Sequence, residues 1–98
     1  LIAFDVDGTL ITFDDKPKYT IIAMLIALSK TNDIIVWSGG GKDYARLWVE
    51  RLFLTEYVTT IMEKPRPSTE DREKDLTSWI DLCFDDEKVQ LATINIQI

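Results

Sequence analysis

Leu1-Ile2-Ala3-Phe4-Asp5-Val6-Asp7-Gly8-Thr9-Leu10-Ile11 is the stretch from which the rest of the chain can be read. A short apolar run stops abruptly at two carboxylates, Asp5 and Asp7, and is followed by Gly8 and Thr9. A continuous apolar run that ends in charge is the pattern of a buried strand whose C-terminal end meets water. In open α/β sheets ligands bind beyond the carboxyl ends of the strands. Two acids at such a place suit a hard cation such as Mg²⁺, which takes oxygen ligands and commonly only one or two carboxylates. A carboxylate there can also attack a phosphoryl group as a covalent nucleophile.

The same pattern recurs down the chain. Ile34 to Trp37 is apolar and runs into Ser38-Gly39-Gly40-Gly41. Tyr57 to Met62 is a third apolar segment, followed by the extended, proline-bound Glu63-Lys64-Pro65-Arg66-Pro67. Trp79 to Phe84 returns to the apolar pattern, interrupted by Asp81, and stops at Asp85-Asp86-Glu87. Helical stretches separate these runs. Thr20 is expected to cap a helix reaching about Lys30. A second helix is expected over Lys42 to Phe53, with Ala45, Trp48, Val49, Leu52 and Phe53 on one face. Strand and helix in alternation predict a parallel sheet. The fold class is therefore α/β, with one small domain over residues 1–98 and a central, mainly parallel sheet. Ile11 to Tyr19 reads as a tight hairpin or loop around Asp14, Asp15 and Pro17. Ser68 to Lys74 reads as a short solvated helix, and Lys88 to Leu91 as one helical turn. Ala92 to Ile98 alternates and reads as a last strand at an edge, although its connection is short for a parallel crossover.

Residues Ile21 to Leu28 are apolar without a break. A surface helix would show a polar face, so this one is expected either to be buried on nearly all sides or to meet a partner chain, as in a homo-oligomer.

Composition narrows the function classes. The chain has 98 residues, 46% of them hydrophobic and 29% charged, which gives a globular domain with a modest core. A net charge of -6 speaks against a broad electrostatic grip on nucleic acid. The single Cys83 excludes an intramolecular disulfide and sits in an apolar run, where a packed thiol is expected. There is no histidine, which removes His-dependent triads and most zinc enzymes. No apolar run is long enough to span a bilayer and no signal peptide is visible, so a cytoplasmic protein without a membrane partner is expected. Leu1 is not an initiator methionine and falls inside the first expected strand, so a few residues are expected before it.

Asp5-Val6-Asp7-Gly8-Thr9 after an apolar run resembles the first motif of the haloacid dehalogenase superfamily, most of whose members are Mg²⁺-dependent phosphatases. Three further positions follow in the superfamily's order. Ser38 resembles the second motif, where a hydroxyl binds the phosphoryl group; Lys64, in a Lys-Pro context, resembles the phosphate-neutralising lysine of the third. Lys42 is the fallback. Asp85-Asp86 resembles the double-aspartate fourth motif. The resemblance covers essentially the whole chain and implies a compact three-layer, Rossmann-like core. It also assigns roles. Asp5 would be the nucleophile that forms an aspartyl-phosphate. Asp7 would be the general acid and base, touching Mg²⁺ through its backbone carbonyl. Ser38 and Lys64 would bind the transferring group, with Gly8, Thr9 and Gly39 beside it. Asp5, Asp85 and Asp86 would complete the Mg²⁺ site, with Glu87 behind them. An acid at position 7 is found in the superfamily's phosphatases and not in its dehalogenases.

The chain also departs from the superfamily. There is no room for a cap domain after Ile11 or between Ser38 and Lys64, and the segment after Asp86 is compressed. A capless, open site goes with large substrates or with oligomers in the resembled superfamily. The Trp37 to Gly41 run and the helix after it also resemble small bacteriophage members. The substrate expected is a phosphorylated compound. Two other outcomes stay open at this point: a polynucleotide 3′-phosphatase-like enzyme, which would need a basic groove, and a non-catalytic module binding a partner through Ile21 to Leu28.

Overall fold

In a computed structural model, which describes residues 1–65 and 79–98, the apolar runs form one five-stranded sheet. In chain order its elements are β1 (Ile2–Asp5), helix α1 (Tyr19–Ser29), β2 (Ile34–Ser38), helix α2 (Lys42–Arg51), β3 (Thr60–Glu63), β4 (Leu82–Asp85) and β5 (Ile94–Gln97). A 3₁₀ turn at Thr55–Tyr57 precedes β3. The strand order is β3-β2-β1-β4-β5 and every pairing is parallel. The order steps outward from β1 in one direction and then, from β4, in the other. The carboxyl ends of β1 and β4 therefore meet at the point of reversal, where open α/β sheets bind their ligands. This is the small Rossmann-like α/β architecture expected from the alternation of runs.

Alternation along the strands divides the core in two. Ile2, Phe4, Ile34, Val36 and Phe84 face one side and pack with Ile21, Ile22 and Leu25 of α1 and Ala45, Trp48 and Val49 of α2. Phe4 and Phe84, paired across β1 and β4, stack at 4.8 Å between ring centroids. Ala3, Ile35, Trp37 and Cys83 face the other side, against Ile80, Leu91 and Ala92. Both helices thus cover the same face. Cys83 is fully buried, as expected; burial and the nearby Asp85 charge push its thiol up to about 12.

Several local expectations are corrected. Helix α1 begins at Tyr19 with Lys18 in the cap position and no side-chain cap, so Thr20 lies inside it. Its apolar run Ile21 to Leu28 is not buried on all sides within this chain: Ile21, Ile22 and Leu25 face the core, while Met24 is exposed. Phe53 adopts a left-handed φ of 58° just past α2 and is turned out to solvent, so it leaves the apolar face assigned to it. No helical turn forms over Lys88 to Leu91; irregular chain links β4 to a parallel β5. The Ser68 to Lys74 helix, Arg66 and Pro67 lie outside the described residues. Among the described residues no helix is long and apolar enough to cross a membrane.

Candidate active site

Four strand ends deliver their polar residues to one place. Asp5 closes β1, Ser38 closes β2, Lys64 follows β3 and Asp85 closes β4. Parallel pairing puts these ends on the same edge of the sheet, so sequence-distant groups become neighbours. Asp5, Asp7, Phe13, Ser38, Gly39, Gly40, Lys64, Asp86 and Glu87 line an open cleft of about 320 Å³.

The acids of β1 and β4 form the floor. One carboxylate oxygen from each of Asp5, Asp85 and Asp86 lies within 4.8 Å of the others. Asp85 is fully buried and Asp5 is 5% exposed. Burial, and then the Asp85 charge, lift the Asp5 carboxyl to about 7. Asp86 is also raised, again chiefly by burial. Crowded, half-dehydrated acids of one sign cost free energy unless a cation joins them. The donor set is all oxygen, which suits a hard divalent ion.

Gly8 keeps this floor open. Its φ of +79° is left-handed, and a Cβ there would stand 2.5 Å from Asp86 Oδ2. Only glycine combines that backbone with that approach. The loop it belongs to is wound tightly: Thr9, Leu10 and Ile11 all donate backbone N–H bonds to Val6, and Gly8 donates to Ile11 at 2.8 Å. Val6, Leu10 and Ile11 are fully buried beneath it.

Lys64 points inward, so Lys42 is not needed in its place. Pro65 favours an extended conformation at Lys64, and the Lys64 N–H donates to Ser38 O at 2.9 Å, continuing the β2–β3 pairing. Its ammonium reaches 2.8 Å from Asp85 Oδ2 and 3.8 Å from Asp5 Oδ1. Burial pushes this ammonium down, but the Asp85 and Asp5 carboxylates outweigh it and hold it above the ordinary lysine value. The lysine is therefore a fixed positive charge. Ser38 is 2% exposed, and its Oγ accepts the Gly40 N–H at 3.0 Å, which fixes the turn into α2.

Asp7 stands apart from the carboxylate cluster. Its Oδ1 accepts a hydrogen bond from Tyr44 Oη at 2.7 Å. As a side-chain metal ligand it is therefore not supported; its backbone carbonyl was the expected contact. Gly8 and Thr9 do not line the cleft either. Thr9 is fully buried, and its hydroxyl has no hydrogen-bond partner among the described residues. Their part is to shape the loop rather than to touch a ligand.

Three contributors escaped the sequence reading. Tyr44 comes from the first turn of α2, and its position beside the strand ends was the available signal. Lys18 donates from Nζ to Gly8 O at 2.9 Å, tying the hairpin to the loop. Phe13 stands on the hairpin at the cleft wall. Comparison of the chain with family models, curated proteins and solved structures finds no match.

Proposed function

We propose that this chain is a Mg²⁺-dependent phosphohydrolase of the haloacid dehalogenase type, using Asp5 as a covalent nucleophile. The observation that carries the proposal is the convergence of Asp5, Asp7, Ser38 and Lys64 on one cleft above the Asp85–Asp86 pair. Asp5, Asp85 and Asp86 are the residues that would hold the ion, which when bound supplies the positive charge that lets an anionic carboxylate approach an anionic ester.

The residues divide the work as follows. Lys64 and Ser38 bind the phosphoryl oxygens, a point charge and a hydroxyl in a partly buried setting where each counts for more than in water. Asp5 attacks phosphorus in line; its oxygen–phosphorus bond forms as the ester bond to the leaving oxygen breaks. Asp7 gives its proton to that oxygen, and the alcohol departs. Asp7, now a carboxylate, takes a proton from water as the water attacks phosphorus, and the Asp5–phosphorus bond breaks to release phosphate. Tyr44 is a positioning residue: its hydrogen bond occupies one Asp7 oxygen and leaves the other for the proton.

The test is phosphate release from an aryl phosphate with Mg²⁺ and with chelator, for wild type beside Asp5→Asn. Release that requires Mg²⁺ and vanishes in the variant is the expected result. A wild type that hydrolyses no ester with Mg²⁺ sinks the proposal.

A further inference from the structure

The hairpin between β1 and α1 carries an aromatic ring that the chemistry above does not use. Phe13 is 79% exposed, yet it lines the same cleft as Asp7, the residue assigned to the leaving oxygen. A single exposed phenylalanine is ordinary on a protein surface. This one is set on a fixed support. Thr12 N–H donates to Lys16 O at 2.8 Å, Lys16 N–H returns to Thr12 Oγ1 at 3.0 Å, and Asp15 takes a left-handed φ of 64° between them. Below, Lys18 N–H donates to Leu10 O at 2.9 Å and Ile11 pairs with Pro17. Ile11 anchors the base in the core. The backbone that carries the ring is thus ordered in advance, and only the side chain's own rotamer remains to be fixed when a ligand stacks on it.

The cleft has room at Gly39, which also lines it. A Cβ added to Gly39 would meet nothing within 4 Å. Charge selects further. Asp7, Asp86 and Glu87 lie at the cleft, and among the described residues Lys64 is the one cation lining it. Lys64 is committed to the phosphoryl group, so a leaving group with negative charge of its own would meet no second cation among the described residues lining the cleft.

We propose that Phe13 is a leaving-group subsite and that the substrates are monophosphate esters whose alcohol carries an uncharged planar ring. This rests on the phosphohydrolase reading above. Ring stacking of this kind gives roughly a threefold to tenfold preference. The experiment measures kcat/KM for two ester pairs of matched leaving-oxygen chemistry, benzyl against propyl phosphate and adenosine 5′-monophosphate against ribose 5-phosphate. Each pair is run for wild type, Phe13→Ala and Phe13→Trp, with melting temperatures to check folding. The expected result is a wild-type preference for the ring-bearing member that collapses in Phe13→Ala and persists in Phe13→Trp. Collapse in the benzyl pair points to simple aryl alcohols, and collapse in the adenosine pair to a nucleobase. Hydrolysis without ring preference, or with a preference that Phe13→Ala leaves intact, overturns the subsite while the phosphohydrolase stands. No Mg²⁺-dependent hydrolysis of any ester overturns both.

Discussion

Asp5 shows how a buried carboxylate works against the fold that holds it. In the metal-free protein, burial and the Asp85 charge raise its carboxyl from 3.8 to about 7. The folded state therefore holds a proton that the unfolded state has lost, and between these values stability falls as pH rises. The penalty is absent below about 4 and complete above about 7. Asp5→Asn removes the titration. With chelator present, the melting temperature of Asp5→Asn relative to wild type should climb through this window and level off above it. The stabilisation reached is at most about 4 kcal/mol. A difference that stays flat with pH would mean that Asp5 does not carry this strain. The acids at positions 5, 85 and 86 were legible in sequence because each follows directly on an apolar run. Phe13 was not, because its position has no local pattern that marks it; it reaches the cleft only through the path of the chain, and Tyr44 was marked only by its place in the first turn of the helix that follows β2. Thr9 was misassigned for a related reason. A hydroxyl beside two acids looks available, but the turn after Val6 folds it under.

Helix α1 was legible in sequence as an element, but which of its faces is buried was not. A period analysis cannot orient a helix whose residues from Ile21 to Leu28 are all apolar. Packing orients it instead: Leu25 is fully buried, while Met24, its neighbour in the chain, is 36% exposed. Leu25→Ala should cost about 2–5 kcal/mol, and Met24→Glu should stay within roughly 0.5 kcal/mol of wild type. Urea unfolding of the two variants checks this; comparable losses would mean that the outer face of α1 is covered. Its start was missed because Thr20 looked like a cap, yet no side-chain bond caps this helix. The turn expected at Lys88 to Leu91 failed for a tertiary reason. Leu91 and Ala92 are drawn into the core beneath the sheet, and Asn95 Oδ1 accepts both their N–H groups, at 2.9 and 3.0 Å. A side chain from the next strand thus supplies what a helical carbonyl would have.

At the scale of the molecule, the parallel sheet followed from the alternation of apolar and helical runs, while the strand order did not. Nothing local to Leu82–Asp85 says that it pairs with β1 rather than β3. That choice brings Asp85 beside Asp5, and so creates the cluster of acids. A cation bound there stabilises the whole domain by mass action, about 2.7 kcal/mol at a hundred times its dissociation constant. For a domain of this size that is a rise in melting temperature of roughly 10–20 °C. Mg²⁺ titration by differential scanning calorimetry should show it for wild type and not for Asp86→Asn. Equal shifts in both would place the ion elsewhere.

The pairing of Ile2 with Leu82 sets the order of events in folding. Strand β1 is the middle of the sheet, yet one of its edges waits for a partner from the far end of the sequence. Every other strand pair also needs a crossover, so the topology has high contact order and folds slowly for its length. On the ribosome, β1, β2 and β3 can assemble with both helices before β4 exists. During that interval the flank of β1 is unpaired and Asp5 has only Lys64 for company. The cluster of acids comes together only once β4 has been made, and a chain that stops short of β4 cannot form it.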